Sequence, residues 1–338
     1  MYRGYYNNLL IFDSLSSLPL TSCTIEEATN ECSVCKMVLP RSNEYWDLLS
    51  EHNGILHIYE DDTEIFRGSI TNVSGDYLSR EYVAMDALYW LSLIRKPPFQ
   101  ITEALTVEAY LTALITQYNE ASPSDRQLTL GDVTVSGSVT REREYEYNTM
   151  MDLISELVTD KGGQVYLTYS SNNVYVNYVD SRITEAPDTL DDISKVIDYT
   201  VESDSDTLIT RAYGINSKGI TMADANDGVE YVVNTDAEDD YGRIDGVIHV
   251  DSDDPAAIKS YAQAYLTRYS KISQATTITA FFGQRLPIGA TVYVDLPVLG
   301  VNGSLEVTDI TINITNPAAS SATLGGKVTK LTDAIARG

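Results

Sequence analysis

The stretch that decides the fold is GILHIYEDDTEIFRGSITNVSGDYLSREYVAMD, residues 54–86. It contains three runs rich in Ile, Val, Tyr and Phe, residue types that favour β-strands. Turn signals bound the runs, including Asn53-Gly54 and Ser74-Gly75-Asp76. Strands at such short intervals predict a small β-barrel or β-sandwich.

The same pattern covers the N-terminal region. Residues 1–83 contain six strand-like runs, YNNLLIF, SCTIEEA, ECSVCKMVL, GILHIYE, EIFRGSITNV and REYVAMD. A short helical piece is predicted from Asp86 to Ile94, and Lys96-Pro97-Pro98-Phe99 ends it. We therefore expect a first β domain over residues 1–99.

Residues 100–185 change character and predict an α/β insert. One helix face is formed by Val107, Leu111, Leu114 and Tyr118, and Pro123 ends this helix. A second helix has Asn148 as its predicted N-cap and Gly162-Gly163 as its end, with an apolar stripe of Met150, Ile154 and Leu157. The runs QVYLTY and VYVNYVD, joined through Ser170-Ser171-Asn172-Asn173, predict a β-hairpin.

Residues 186–338 return to strands, with one long helix predicted over 255–272. Asp254-Pro255 is a strong helix start, because Asp caps the helix and Pro fits its first position. Its predicted sheet-packing face holds Ile258, Tyr261, Tyr265, Tyr269 and Ile272. Strands follow in ATTITAFF, ATVYVDL and SLEVTDITINIT. The fold class is therefore mainly β with α+β additions, and the third domain, 186–338, could share strands with the first.

The charge excludes several function classes. The chain has 23 Lys and Arg against 49 Asp and Glu, a formal net charge of −26. Binding nucleic acid over a large surface needs clustered cations, and so does binding to an anionic membrane. The acidic charge therefore excludes both kinds of partner.

The sequence shows no targeting signal or membrane helix. The chain does not open with a basic region followed by a long apolar run, and no apolar run reaches the length of a membrane helix. Three cysteines cannot form a complete disulfide framework, which favours folding in a reducing cytoplasm.

Cys32 and Cys35 form a CxxC that could be a metal site, a redox site or part of a strand. A zinc site needs a second pair of ligands, and a thioredoxin-like site needs the motif at the start of a helix. Here the motif opens a strand-like run that Pro40 ends. Positions three apart in a strand point to opposite faces, so we expect the two cysteines to diverge as small strand residues.

Four other features of the sequence are candidate sites. The alternating REREYEY, residues 141–147, would align Glu142, Glu144 and Glu146 on one strand face, but three equivalent carboxylates do not match a glycosidase pair. The acidic loops 224–228 and 251–254 could bind calcium but lack EF-hand spacing. His52 and His57 are not expected to share a metal. The chain has 24 Tyr against 5 Phe, and the helix tyrosines could alternatively form a subunit contact.

No catalytic motif is present, so the residues assign no catalytic, cofactor-binding or metal-binding side chain, and we expect no cofactor and no enzyme activity. The order of weak motifs nevertheless resembles a known family. Four segments resemble successive parts of the siphophage tail-tip hub: Tyr82 to Phe99, Asn148 to Tyr178, Asp239 to Ile244 and Leu305 to Leu331. This hub is the N-terminal region of tail-associated lysins, a family also called phage minor structural proteins.

The resemblance implies a fold and a role. Members of this family are similar to the central hub of contractile-phage baseplates, with two tail-tube-like β-barrels and α/β additions. Three copies would form a ring of six similar barrels that fits a sixfold tube. The implied partners are the distal tail protein ring, the tape-measure protein and receptor-binding or spike proteins. The implied location is the virion tail tip, assembled in the bacterial host cytoplasm, with DNA passing an acidic lumen without specific binding.

Many relatives continue into a C-terminal peptidase, lysozyme-like or carbohydrate-binding part, whereas this sequence ends at Arg337-Gly338. Wall-degrading activity is therefore not expected from these residues. Two alternatives stay open: the hub fragment of a tail-associated cell-wall hydrolase, and an acidic glycan-binding β-protein.

Overall fold

The computed structural model describes nine stretches of the chain: residues 1–13, 18–141, 147–170, 173–182, 189–190, 196–205, 207–280, 286–297 and 301–325. The chain divides into two compact units. The first contains Met1–Tyr199 and Thr277–Gly338, and the second contains Thr200–Thr276. The division into domains at residues 99 and 185 stays a prediction.

The first unit begins with seven strands. They are β1 (Tyr2–Tyr6), β2 (Leu9–Asp13), β3 (Ser22–Ala28), β4 (Val34–Pro40), β5 (Leu56–Glu60), β6 (Thr63–Gly75) and β7 (Ser79–Asp86). The predicted strand YNNLLIF is wrong as one element. Asn7 and Asn8 have positive φ angles of 49° and 67° and form the two-residue turn between β1 and β2. Asn tolerates this region well, which makes it a favoured hairpin-turn residue.

The next elements form the α/β part. They are β8 (Arg95–Lys96), β9 (Ile101–Thr106), α1 (Val107–Ala121), β10 (Thr129–Val133), β11 (Ser138–Arg141), β12 (Asn148–Thr149), α2 (Met150–Lys161), β13 (Gln164–Ser170) and β14 (Asn173–Val179). The two predicted helices and the hairpin strands are confirmed. The helical piece predicted from Asp86 to Ile94 is only a 3-10 turn, Tyr89–Ser92.

The C-terminal strands return to the first sheet. The chain continues through β15 (Val196–Asp204), β16 (Arg211–Ile215), β17 (Tyr231–Val233), α3 (Thr235–Tyr241), β18 (Asp245–His249), α4 (Pro255–Tyr269), β19 (Ser273–Ala280), β20 (Thr291–Leu296), β21 (Val301–Asn313) and β22 (Ser321–Leu324). Strand β21 pairs antiparallel with β3, so that Ile312 lies opposite Ile25. The large sheet has the order β15-β19-β22-β21-β3-β4-β7-β6-β5-β1-β2, with β20 on β21.

Three apolar clusters hold the described residues together. The first joins the N-terminal strands to β20–β22 and includes Ile25, Phe66 and Ile310. The second packs α1 and α2 against the β13–β14 hairpin and contains Trp90, whose Nε1 donates to Ser69 Oγ at 2.9 Å. The third lies in the second unit, where α4 covers one face of the sheet β17-β16-β18. The expected mainly β fold with α+β additions is confirmed.

Candidate interaction surfaces

The CxxC cysteines diverge, as the strand pattern predicted. Cys35 is fully buried in the first cluster, where its Sγ lies 3.8 Å from Cys23 Sγ. Cys32 precedes β4 and packs against the second cluster instead. Burial, together with the nearby Asp86 carboxyl, raises the pKa of the Cys32 thiol, and the hydrogen bond with Cys35 raises the pKa of Cys23. Both shifts disfavour the thiolate that metal binding and redox exchange require.

The histidines lie in separate surroundings. The His52 ring stacks on Tyr89 with centroids 6.2 Å apart. His57 Nδ1 lies 2.7 Å from Glu64 Oε1, which also accepts from Arg67 Nε at 2.9 Å. Burial raises the pKa of Glu64, but the hydrogen bonds from His57 and Arg67 outweigh it and hold this pKa below its usual range. In the described residues no group of three His, Cys, Asp or Glu side chains could hold a metal ion.

Two of the other sequence features, the acidic loop 251–254 and Arg141 of REREYEY, have structural roles. Asp254 caps α4 by accepting from Ala256 N at 3.0 Å, and Asp253 accepts from Asn216 Nδ2 at 2.8 Å. Arg141 pairs with Glu156. Residues 142–146 of the REREYEY motif lie outside the described residues.

The predicted packing face of α4 is partly wrong. The side chains buried against the sheet are Ile258, Ala262, Leu266 and Tyr269. Tyr261 and Tyr265 remain 51% and 39% exposed. Helix α4 approaches β16 closely, because a Cβ at Gly214 would lie 2.6 Å from Ile258 Cγ2. The subunit-contact alternative for these tyrosines therefore stays open.

A polar cavity of about 890 Å³ opens in the first unit between the β1–β5 pair and the segment after α1. The Tyr5 and Tyr59 rings on its wall meet edge to face, with centroids 5.7 Å apart. Further lining residues include Asn8, Asp125 and Gln127. Such a wall offers hydrogen bonds and ring faces, the features that suit a polar ligand or a polar segment of a neighbouring protein.

The β6–β7 hairpin ends in an exposed apolar tip that the sequence reasoning missed. Tyr77 and Leu78 are 74% and 67% exposed. Asp76 Oδ1 fixes the turn by accepting from Leu78 N at 2.7 Å, and the Arg41 guanidinium lies 4.2 Å from the Tyr77 ring centroid. The apolar pair inside the turn signal SGDYLS could have revealed it, since turn positions are mostly occupied by Gly, Pro, Asn, Asp and Ser.

Residues 185–335 match the family model described as prophage endopeptidase tail. No curated protein matches the chain. No helix in the described part of the chain is long and apolar enough to cross a membrane.

Solved structures match over nearly the full length. The 43 kDa tail protein of prophage MuSo2 from Shewanella oneidensis is 13% identical with a TM-score of 0.68, and 96% of each chain is covered. A tail protein from Neisseria meningitidis is 12% identical with a TM-score of 0.66, covering 96% of this chain and 95% of that one. Prophage tail protein gp18 from Listeria monocytogenes is 15% identical with a TM-score of 0.61, covering 93% and 91%. The resemblance found in the sequence is thereby confirmed: this chain has the fold of prophage tail proteins, and its residues 185–335 match a prophage tail family.

Proposed function

We propose that this protein is a structural component of a phage or prophage tail tip, a homotrimeric hub that caps or continues the tail tube. The observation that carries the proposal is the match of fold over 96% of the chain to a prophage tail protein of equal extent. The family match of residues 185–335 supports the same role. In this role the β regions act as tube-like barrels, and the segment 100–185 is an insert between them.

The hub would connect the distal tail protein ring and the tape-measure protein to receptor-binding or spike proteins. The exposed tip at Tyr77 and Leu78 and the polar cavity beside Tyr59 are surfaces suited to such contacts. The net charge of −26 supports a lumen that passes DNA without retaining its phosphates. Assembly would take place in the host cytoplasm before the particle is released.

Immunogold electron microscopy of particles from the encoding phage tests the location. We expect label at the distal end of the tail, and antibody pre-absorbed with the purified chain serves as the control. Label along the whole tail, or none on particles that contain the protein, would overturn the proposal.

A second candidate is the hub part of a cell-wall hydrolase, which the name of the matched family favours. In the described residues no hydrogen bond joins a histidine to a serine or cysteine, and His57 is engaged by Glu64. Incubating the purified chain with peptidoglycan of the host and following release of free amino groups tests this candidate. Release above that of a heat-denatured sample would favour the hydrolase.

A further inference from the structure

The second unit has one sheet face that α4 does not cover. In the strands β16, β17 and β18, Ala212, Val232 and Ile248 face the apolar cluster around α4. The alternate residues point to the other side. We call this side the platform; it is formed by Tyr213, Ile215, Tyr231, Val233 and Val247. Val247, on the edge strand β18, is 64% exposed.

The platform is held in one geometry by two arginines. Arg211 donates to both Glu238 oxygens, at 2.7 and 3.0 Å, and its guanidinium lies 4.8 Å from the Tyr231 ring centroid. Arg243 donates to Asp245, and its Nη2 also donates to the Tyr213 hydroxyl at 3.1 Å. Because the rings are fixed before any partner arrives, docking on them loses little side-chain entropy. Ordered Tyr and Arg side chains are also the residue types that dominate interface energies.

A second exposed surface lies on α4 itself. Tyr261, Tyr265 and Arg268 are spaced four and three residues apart, which places them on one helix face. We call these three residues the α4 stripe. The Tyr265 ring packs on Tyr269 with centroids 4.3 Å apart, so the stripe is also ordered.

The two surfaces differ in charge. Residues 200–254 contain 14 acidic and three basic side chains, whereas residues 255–276 contain three basic and no acidic ones. The acidic helix α3 borders the platform, since its Glu238 binds Arg211, and Asp236, Asp239 and Asp240 of this helix are exposed. Two platforms facing each other would bring like charges together. A platform facing an α4 stripe brings an acidic rim against Arg268 and Lys271.

We propose that the second unit of one copy binds the second unit of the next copy head to tail, with the platform of one seated against the α4 stripe of the other. Contacts between two different surfaces can close into a ring, which two identical surfaces cannot do beyond a dimer. This inference rests on the homotrimer proposed above and supplies its contact.

The test compares oligomer size by analytical ultracentrifugation of the full chain. Val247→Glu buries a carboxylate under the platform contact, and Tyr261→Glu does so under the stripe. We expect each to raise the dissociation concentration by about tenfold or more, because a carboxylate buried in an interface without a partner loses its hydration. Leu93→Glu, a comparable change at an exposed position of the first unit, should leave oligomer size unchanged. Circular dichroism of all variants checks that they are folded.

Mixing the two defective variants gives the decisive result. The intact stripe of V247E and the intact platform of Y261E together make one good contact, so we expect species of two chain masses that neither variant forms alone. No recovery on mixing would overturn the head-to-tail contact. Oligomers that both variants leave intact would overturn the inference but not the tail-tip role. A wild-type chain that stays monomeric at all concentrations would also overturn it, while particle labelling judges the tail-tip role separately.

Discussion

At the residue scale, Glu64 is a buried carboxylate whose charge is expected to contribute strongly to stability. It and Arg67 are each 6% exposed, and it accepts from both Arg67 and His57. Glu64→Gln keeps the shape but removes the charge that offsets a buried guanidinium, so we expect a loss of about 3–5 kcal/mol in the free energy of unfolding. Urea unfolding measures it.

The control for this change is Glu26→Gln, which breaks the exposed pair with Lys36. Exposed pairs contribute little, and a loss below about 1 kcal/mol is expected. Equal losses in the free energy of unfolding for the two variants would contradict the prediction that the buried Glu64–Arg67 pair contributes more than the exposed one.

Asp86 supplies a pH-dependent term. Burial raises its pKa to about 7 from 3.8, although Ser33 N and Leu88 N donate to it at 2.8 and 3.0 Å. The folded state therefore holds a proton that the unfolded state has lost. The contribution of this bound proton to the free energy of unfolding is complete at low pH and is lost as pH rises from about 4 to 7. It does not change further above that pH.

Asp86→Asn should remove this slope, because the amide does not titrate. We expect the free energy of unfolding of the wild type to fall relative to the variant by up to about 1.4 kcal/mol per pH unit between pH 5 and 7. At low pH the variant has the lower free energy of unfolding, because its amide nitrogen cannot accept a hydrogen bond from one of the two backbone N–H groups. Parallel stability curves over this range would contradict the assigned pKa.

Single residues were predictable where a local rule decided them. The divergence of Cys32 and Cys35 followed from strand alternation alone. The position of Tyr261 did not, because helix periodicity allows two overlapping stripes, and packing against the sheet buries Ala262 and leaves Tyr261 exposed. That selection depends on the partner sheet, which the helix sequence does not contain.

At the element scale, α2 begins with a capping box. Thr149 Oγ1 accepts from Asp152 N at 3.0 Å, and Asp152 Oδ2 accepts from Thr149 N at 2.8 Å. Thr149→Ala should cost about 1 kcal/mol, the usual value for a lost N-cap. Thermal unfolding measures it. Thr159→Ala, at an exposed position inside the same helix, should cost nothing or stabilise slightly, since Ala is the better helix former. The reverse order would refute the cap.

Element boundaries were harder to predict than element types. Asn148 was the predicted cap, but its side chain bonds to Glu156 and the next residue caps instead. Helix α3 was missed because its run of acids resembled a loop, although Asn234 provides a cap. The long helix ends at Tyr269 rather than at residue 272. Neighbouring candidates for one cap differ by little free energy, so packing decides between them.

At the scale of the whole molecule, the first cluster couples distant parts of the chain. Ile312 lies opposite Ile25, and both are buried. We expect Ile312→Ala to speed hydrogen exchange in β3 and β4 as well as in β21, because these strands share one core. Leu157→Ala, a similar truncation in the second cluster, should speed exchange in α2 and β13 instead. Exchange confined to β21 in the first variant would contradict a shared core.

The order of most strands and of the helices α1, α2 and α4 along the chain was predictable from strand and helix periods. The pairing of β3 with β21 was not, because strand sequences do not specify partners nearly 300 residues away. The two surfaces of the second unit needed both the strand register and the placement of α4. The charge contrast between them, by comparison, can be read from the sequence directly.

The β3–β21 pairing also sets a waiting time during synthesis. Ile25 leaves the ribosome long before Ile312 is made, and at 5–20 residues per second the interval is roughly 15–60 s. Throughout it, one edge of β3 offers unpaired backbone groups to any other nascent strand. A polysome making many copies would therefore be the place where this protein is most exposed to aggregation, and slow codons before residue 301 would lengthen that exposure.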